Sequence, residues 1–385
     1  MFRIILAVVL SLSLITTDAA GQANKTGGTL HGTVAKQLDD YLSQRVDQGF
    51  SGALLVAQNG KVVLAKGYGF ADREKKAPVT TSTVFAIGSV TKQFTAAAIM
   101  KLQMQGKLNV DDPISKFFKD VPPDKSKITI HQLLTHSSGI PSRAGRCGAA
   151  PTIEDFAKVV LGAPLEFEPG TDYRYSNHGY SLLGAIVKLA SGEPYERYLY
   201  DNLFKPAGMQ RTGTFLPKYS RDDIATGYRD GKRWGFLFEQ LWDYTELPIT
   251  KLKGEPCGLP HGGILSTIGD LYKWHNALKG EKIFPKAIKQ KIFAPHVREG
   301  KGAGSFYGYG WTIFTTPRNT KLVGHNGDVN SVFQADFRRY VDEDVVYILL
   351  TNSLYLEQGA VELSDQIARI IFADSKLNKP RASGD

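Results

Sequence analysis

Strand-forming runs stand near both ends of this chain, and the long middle between them reads as helix and loop. Near the N-terminal end, Gly52-Ala53-Leu54-Leu55-Val56-Ala57 and Lys61-Val62-Val63-Leu64-Ala65 flank Asn59-Gly60. Asn-Gly between two β-rich runs is the strongest short hairpin signal, because both turn residues must take positive φ. Strand character returns at Tyr307–Phe314, Leu322–Val323, Ser331–Arg338 and Val345–Asn352. Helical spacing marks Val90–Gln105, Thr129–Leu134, Ile153–Leu161, Gly179–Ala190, Tyr195–Leu203 and Thr267–Leu278. An earlier helix is expected around Val34–Val46, ended by Gly49, and a last amphipathic one at about Ala360–Phe372. The pattern predicts an α/β (α+β) fold: one sheet built from both chain ends, with a mainly helical lobe inserted. The sheet lobe is expected over about 29–88 and 305–375, the helical lobe over about 89–304, and a flexible tail over 376–385. Clefts between such lobes commonly hold binding sites.

Residues 1–23 read as a secretory signal. Arg3 precedes an apolar run, Ile4 to Ile15, and Ala19-Ala20-Gly21-Gln22-Ala23 offers small residues for cleavage. The run falls short of the roughly 20 residues that cross a bilayer, so a secreted or periplasmic protein without an integral membrane segment is expected. The net charge of +9 comes from scattered bases often alternating with acids, as in Arg229-Asp230-Gly231-Lys232-Arg233. Without a clustered basic helix, nucleic acid is not an expected partner. Cys147 and Cys257 are the only cysteines. In an oxidising compartment they suggest one disulfide, with two buried thiols as the alternative. The eight histidines form no His-x-His-x-Asp or His-Glu-x-x-His set, so neither a metal nor another cofactor is expected.

Ser89-Val90-Thr91-Lys92 sits between the apolar run Val84–Gly88 and the helix-favouring Gln93–Met100. Ser89 would then open a helix, where free N–H groups favour developing negative charge. Lys92 would lie one turn on, able to take the serine proton if desolvated. Alone, such a tetrapeptide is more often a Ser N-cap followed by a surface lysine. Two further motifs change its weight. Tyr175-Ser176-Asn177 follows the turn signal Pro169-Gly170 and could send Tyr175 and Asn177 into one cleft. There a tyrosine of depressed pKa would shuttle a proton, and Asn177 would hold a substrate carbonyl or amide. His325-Asn326-Gly327-Asp328 lies between strand-like runs, and Gly327 would let a substrate backbone approach. The backbone N–H of Asp328 could pair with that of Ser89 as an oxyanion hole, with His325 facing the same cleft.

The ordered set Ser-x-x-Lys, Tyr-x-Asn and His-x-Gly resembles the serine β-lactamase and penicillin-binding protein superfamily on its class C side. A related set in class A enzymes is a known example of such motifs. Leu133–Ile140, Phe167–Asn177, Pro206–Met209, Gly262–Thr267 and Tyr307–Trp311 also match that family, over about Phe50–Asn352. The resemblance implies an acyl-enzyme mechanism, with Ser89 as nucleophile and Lys92 and Tyr175 sharing the base role. β-Lactamases proper usually carry lysine where this chain has His325. Family relatives often place a small residue at the position of Asp328 and a glycine at that of Ser331. A carboxylate at the rim would repel anions, so an ester, amide or peptide substrate is expected, with a free amino group favoured; the alternative is that Asp328 points to solvent and selects nothing. A β-lactamase, a D-Ala-D-Ala carboxypeptidase and a non-catalytic sensor on the same fold stand as alternatives. Tyr228, Trp234, Phe236, Phe238, Trp242 and Tyr244 could wall a pocket or pack the helical lobe.

Overall fold

The computed structural model describes residues 28–142, 153–235, 257–353 and 359–373. The expected signal segment, Cys147, Phe236, Phe238, Trp242, Tyr244 and the tail lie outside the described residues. The chain begins with β1 (Thr29–Leu30), α1 (Gly32–Val46) and the hairpin β2 (Ser51–Gln58) and β3 (Lys61–Tyr68). Short strands β4 (Phe70–Asp72), β5 (Ala77–Pro78) and β6 (Phe85–Ala86) lead through a 3₁₀ turn, Gly88–Thr91, into α2 (Lys92–Met104). Then come α3 (Ile130–Leu134), α4 (Ile153–Gly162), α5 (Asn177–Ser191), α6 (Tyr195–Leu199), α7 (Lys205–Ala207), β7 (Gly227–Arg229) and β8 (Lys232–Gly235). They are followed by α8 (Leu259–Gly262), β9 (Leu265–Ser266), α9 (Ile268–Lys279), α10 (Lys286–Ile292), β10 (Val297–Arg298) and β11 (Ser305–Tyr307). The rest is β12 (Thr312–Thr315), β13 (Lys321–Val329), β14 (Phe333–Tyr340), β15 (Val345–Ser353) and α11 (Gly359–Ile371).

The main path of the sheet is β1-β3-β2-β15-β14-β13-β12-β11-β10, and the two chain ends meet at the antiparallel pair β2–β15, where Leu54 faces Leu349. Asn59 and Gly60 take the positive φ values that the hairpin turn requires. All nine residues of β15 are buried, which its near-continuous apolar run Val345–Leu350 anticipates. Ala53, Leu55, Phe337, Ile348 and Leu350 face the helical lobe, while Leu54, Val56, Tyr347 and Leu349 pack with Leu38, Leu42, Ile367 and Ile371 of α1 and α11. Each such fully buried aliphatic side chain contributes roughly 1.5–3 kcal/mol.

One sequence expectation needs correction: Tyr307–Phe314 is two strands, β11 and β12, because the intervening segment turns at Gly310 in positive φ. The mainly helical middle also carries short strands. There β9 pairs with β6, β7 adds to β15 in parallel, and the sheet resumes at Val297, before residue 305.

Candidate active site

Helix α2 is buried on every side from Lys92 to Met100, so its first residue enters the core rather than solvent. Lys92 is fully buried, and its Nζ lies 3.0 Å from Ser89 Oγ, 2.8 Å from Asn177 Oδ1 and 2.8 Å from the His261 carbonyl oxygen. Burial is the cause that holds its pKa well below the ordinary lysine range. A neutral amine has two hydrogens and one lone pair. Asn177 Oδ1 and the His261 carbonyl accept the hydrogens, which leaves the lone pair for the Ser89 hydroxyl.

Ser89 itself lies in the 3₁₀ turn that precedes α2. Gly88 has φ +51°, and a Cβ there would stand 2.8 Å from the Asp328 nitrogen. A Cβ on Gly327 would fall 2.0 Å from the Ile87 carbonyl oxygen and 3.0 Å from the Ser89 nitrogen. The two glycines let β13 abut the turn and bring the backbone N–H groups of Ser89 and Asp328 to one place. β12 pairs only with Lys321–Gly324 of β13, so His325–Val329 has no strand on that side among the described residues. This leaves an open edge beside Ser89.

Tyr175 is half-buried, with its hydroxyl oxygen buried and its ring 4.7 Å from Lys92 Nζ. The expectation of a depressed pKa is overturned. Burial pushes the phenol up, and the nearness of the Ser89 hydroxyl offsets only part of this. Its surroundings are uncharged rings: His136 at 4.4 Å, Tyr307 at 6.3 Å and His325 at 6.3 Å between centroids. His325 is buried, its Nε2 lies 2.9 Å from the Tyr307 hydroxyl, and its Nδ1 lies 2.6 Å from the Asn326 carbonyl oxygen. Burial is the main cause that lowers its pKa to about 3, so the ring is neutral. With Nδ1–H donating to that carbonyl, Nε2 accepts from Tyr307.

Asp328 departs from expectation. Side chains alternate along β13, so His325 and Gly327 face Ser89, and the Asp328 side chain leaves from the other face. There its Oδ1 accepts from the Ser331 N–H at 2.8 Å and its Oδ2 from Gln334 Nε2 at 3.1 Å. Asn330 and Ser331 both have positive φ, 55° and 57°. The carboxylate therefore braces a turn where Ser331 replaces the glycine usual in the family. Both of its oxygens are engaged on that face.

Sequence reasoning passed over three contributors. The His261 carbonyl acts through backbone, which no side-chain pattern announces; its ring lies 3.0 Å from Ser181 Oγ. His136, within the matching stretch Leu133–Ile140, has φ +59°, accepts from the Ser176 N–H at 3.0 Å, and its carbonyl accepts from the Arg174 N–H at 2.9 Å. It thereby clamps both flanks of Tyr175. Tyr307, within the matching stretch Tyr307–Trp311, supports His325 through its hydroxyl. Cys257 is disulfide-bonded, while Cys147 lies outside the described residues. Tyr228 is buried, with its hydroxyl accepting from the Arg73 N–H at 2.7 Å, so it packs the sheet end.

The beta-lactamase family model matches residues 38–371, which is most of the chain. The chain belongs to the beta-lactamase family. With it, the chain joins a superfamily of serine hydrolases that includes penicillin-binding proteins. A penicillin-binding protein of Bacillus subtilis (strain 168) is 28% identical over 322 residues, covering 79% of this chain and 68% of its own length. Protein flp of Staphylococcus aureus (strain MW2) is 33% identical over 352 residues, covering 86% and 66%. The chain thus spans about two thirds of each of these relatives. An octameric penicillin-binding protein homologue from Pyrococcus abyssi superposes with a TM-score of 0.73 at 29% identity, over 90% of this chain and 78% of that one. A D-amino acid amidase from Ochrobactrum anthropi SV3 shares the fold, with a TM-score of 0.71 at 23% identity over 89% and 99%.

Proposed function

We propose that this protein is an exported serine hydrolase that cleaves an ester or amide through an acyl-enzyme on Ser89. The observation that carries this reading is Lys92: fully buried, depressed in pKa and 3.0 Å from Ser89 Oγ. Lys92 takes the Ser89 proton as Oγ attacks the carbonyl carbon. The backbone N–H groups of Ser89 and Asp328 receive the oxyanion, each worth about 3 kcal/mol of barrier. The leaving group departs with the proton, passed from Lys92 through the Tyr175 phenol. A water molecule then attacks the acyl carbon, returning Ser89 and releasing the acid. A phenol whose pKa is raised serves this relay as a donor, not as a resting phenolate.

The open edge at His325–Val329 suits an extended acyl or peptide chain, which would add to the sheet through backbone hydrogen bonds. A neutral His325 offers no fixed charge to a substrate carboxylate, which supports esters and amides over β-lactams. With the Asp328 carboxylate turned away, that residue does not favour a free amino group over other substituents. Export rests on the N-terminal sequence pattern and agrees with a disulfide-bonded Cys257.

Turnover of p-nitrophenyl esters, D-amino acid amides and nitrocefin, compared between wild type and Ser89→Ala, tests the reading. Ester or amide hydrolysis and stoichiometric fluorophosphonate labelling, both lost in Ser89→Ala, are expected. Efficient nitrocefin turnover with inert esters and amides would assign a β-lactamase instead. No labelling and no turnover would leave a binding protein on this fold.

A further inference from the structure

A second cavity, of about 310 Å³, lies away from Ser89 between the inner face of β14, α9 and the residues following α10. Its floor is Arg339, only 6% exposed. Arg339 Nε donates to His275 Nδ1 at 3.2 Å, and the guanidinium packs against the rings of Phe293 and Trp311 at 5.0 and 5.6 Å. Among the described residues no carboxylate pairs with this guanidinium, and neither Nη has a hydrogen-bond partner. Burial lowers its pKa only to about 10, so it stays charged at neutral pH. An uncompensated buried cation is costly, and removing such a charge from water without a partner is rare in native proteins.

The walls add cations rather than relieve the charge. Lys321 and Lys289 line the cavity with their ammonium groups on backbone carbonyls: Phe293 for the first, Lys279 and Gly280 for the second. Lys279 also lines it, already paired with Asp344. Asp342, outside the lining, accepts from the Lys321 backbone N–H at 2.6 Å through its carboxylate. Among the described lining residues four cations face one carboxylate, Asp344, so even with Asp342 counted two positive charges are left without balance. The buried His275 ring is held neutral, its pKa lowered to about 3 by burial and then by Arg339 and Lys279, so it cannot supply a counter-charge.

We propose that this cavity is a binding site for a small dianionic oxyanion of the phosphate or phosphomonoester class. A guanidinium below and ammonium groups from separate elements around it suit a tetrahedral acceptor more than a flat monoanion. The bound anion joins the start of β13, the β14–β15 turn and the α9–α10 connection, so its free energy adds to folding by linkage.

Melting of the full chain in phosphate-free buffer, titrated with sodium phosphate or glycerol phosphate against sodium chloride at equal ionic strength, tests the site. A saturable rise of about 3 °C or more is expected for at least one phosphate, beyond the chloride effect. Tighter binding of inorganic phosphate identifies a free ion, and tighter glycerol phosphate identifies the headgroup of a larger molecule. Arg339→Met is expected to abolish the rise while keeping or raising the Tm without phosphate. Should that variant fail to fold, Lys289→Ala is expected to weaken phosphate at least about five-fold with ester turnover unchanged. A rise no larger than that of chloride, or one undiminished in the folded variants, overturns the proposal.

Discussion

Two buried cations, Lys92 and Arg339, lie on the same side of the sheet and meet burial in opposite ways. Among the described residues Lys92 pairs with no carboxylate and answers by giving up its proton: its pKa falls, and two carbonyl-type acceptors hold the neutral amine. Arg339 has no carboxylate either, but a guanidinium does not deprotonate at physiological pH, so its charge persists. Desolvation therefore makes a base in one place and an anion receptor in the other. The chemistry of the head group, not the burial, decides which.

The sharpest way to break this comparison is to exchange the head groups. Lys92→Arg should abolish ester turnover by roughly 10³-fold or more, because an arginine cannot take the Ser89 proton. Steady-state kinetics, with circular dichroism to confirm the fold, would check it; retained activity would refute Lys92 as base. The converse, Arg339→Lys, should let the buried group neutralise. Phosphate stabilisation then falls at least about five-fold, read from the same melting titration.

A pH series sharpens the Lys92 half. Turnover should rise as pH climbs through the lowered pKa of Lys92, since the neutral amine is the active form. In stability the unfolded chain binds the extra proton between that value and about 10.4, so urea midpoints should rise with pH across this window and flatten in Lys92→Met. His325 adds a separate acid limb. Its folded pKa of about 3 lies below the unfolded value of about 6.5, so stability should fall as pH drops below 6.5 and level off near 3. His325→Asn should lose that limb by the equivalent of one proton.

The smallest effect concerns the Asp328–Ser331 turn on the opposite face. Ser331→Gly should stabilise by about 1 kcal/mol, because glycine takes positive φ without strain. Asp328→Ala should cost about 1 kcal/mol in wild type but less beside Ser331→Gly, and leave ester kinetics within about two-fold. A large kinetic effect of Asp328→Ala would return its carboxylate to substrate selection.

Much of this molecule is legible in order and spacing. Asn59-Gly60 specified its hairpin because only a turn of positive φ joins two such strands so tightly. Ser89 and Lys92 meet because three residues make about one helical turn. Where the reading failed, direction or solvation was at stake. Asp328 looked like a gate because sequence adjacency to Gly327 conceals that strand neighbours face opposite ways. Tyr175 was expected to ionise because a neighbouring lysine suggests a cation, whereas burial neutralises that lysine. The run Tyr307–Phe314 reads as one strand until Gly310 turns it.

By itself, the sequence determined which groups are available and how local elements form: the hairpin, the helix behind Ser89, and the set Ser89, Lys92, Tyr175, Asn177 and His325. Tertiary structure decided their protonation and direction. It buried Lys92 beside the His261 carbonyl, turned Asp328 toward Ser331, and left Arg339 charged at the floor of a cavity. The reason is physical: hydrogen bonds within a turn follow from local backbone geometry, whereas desolvation depends on what the distant chain packs around a group.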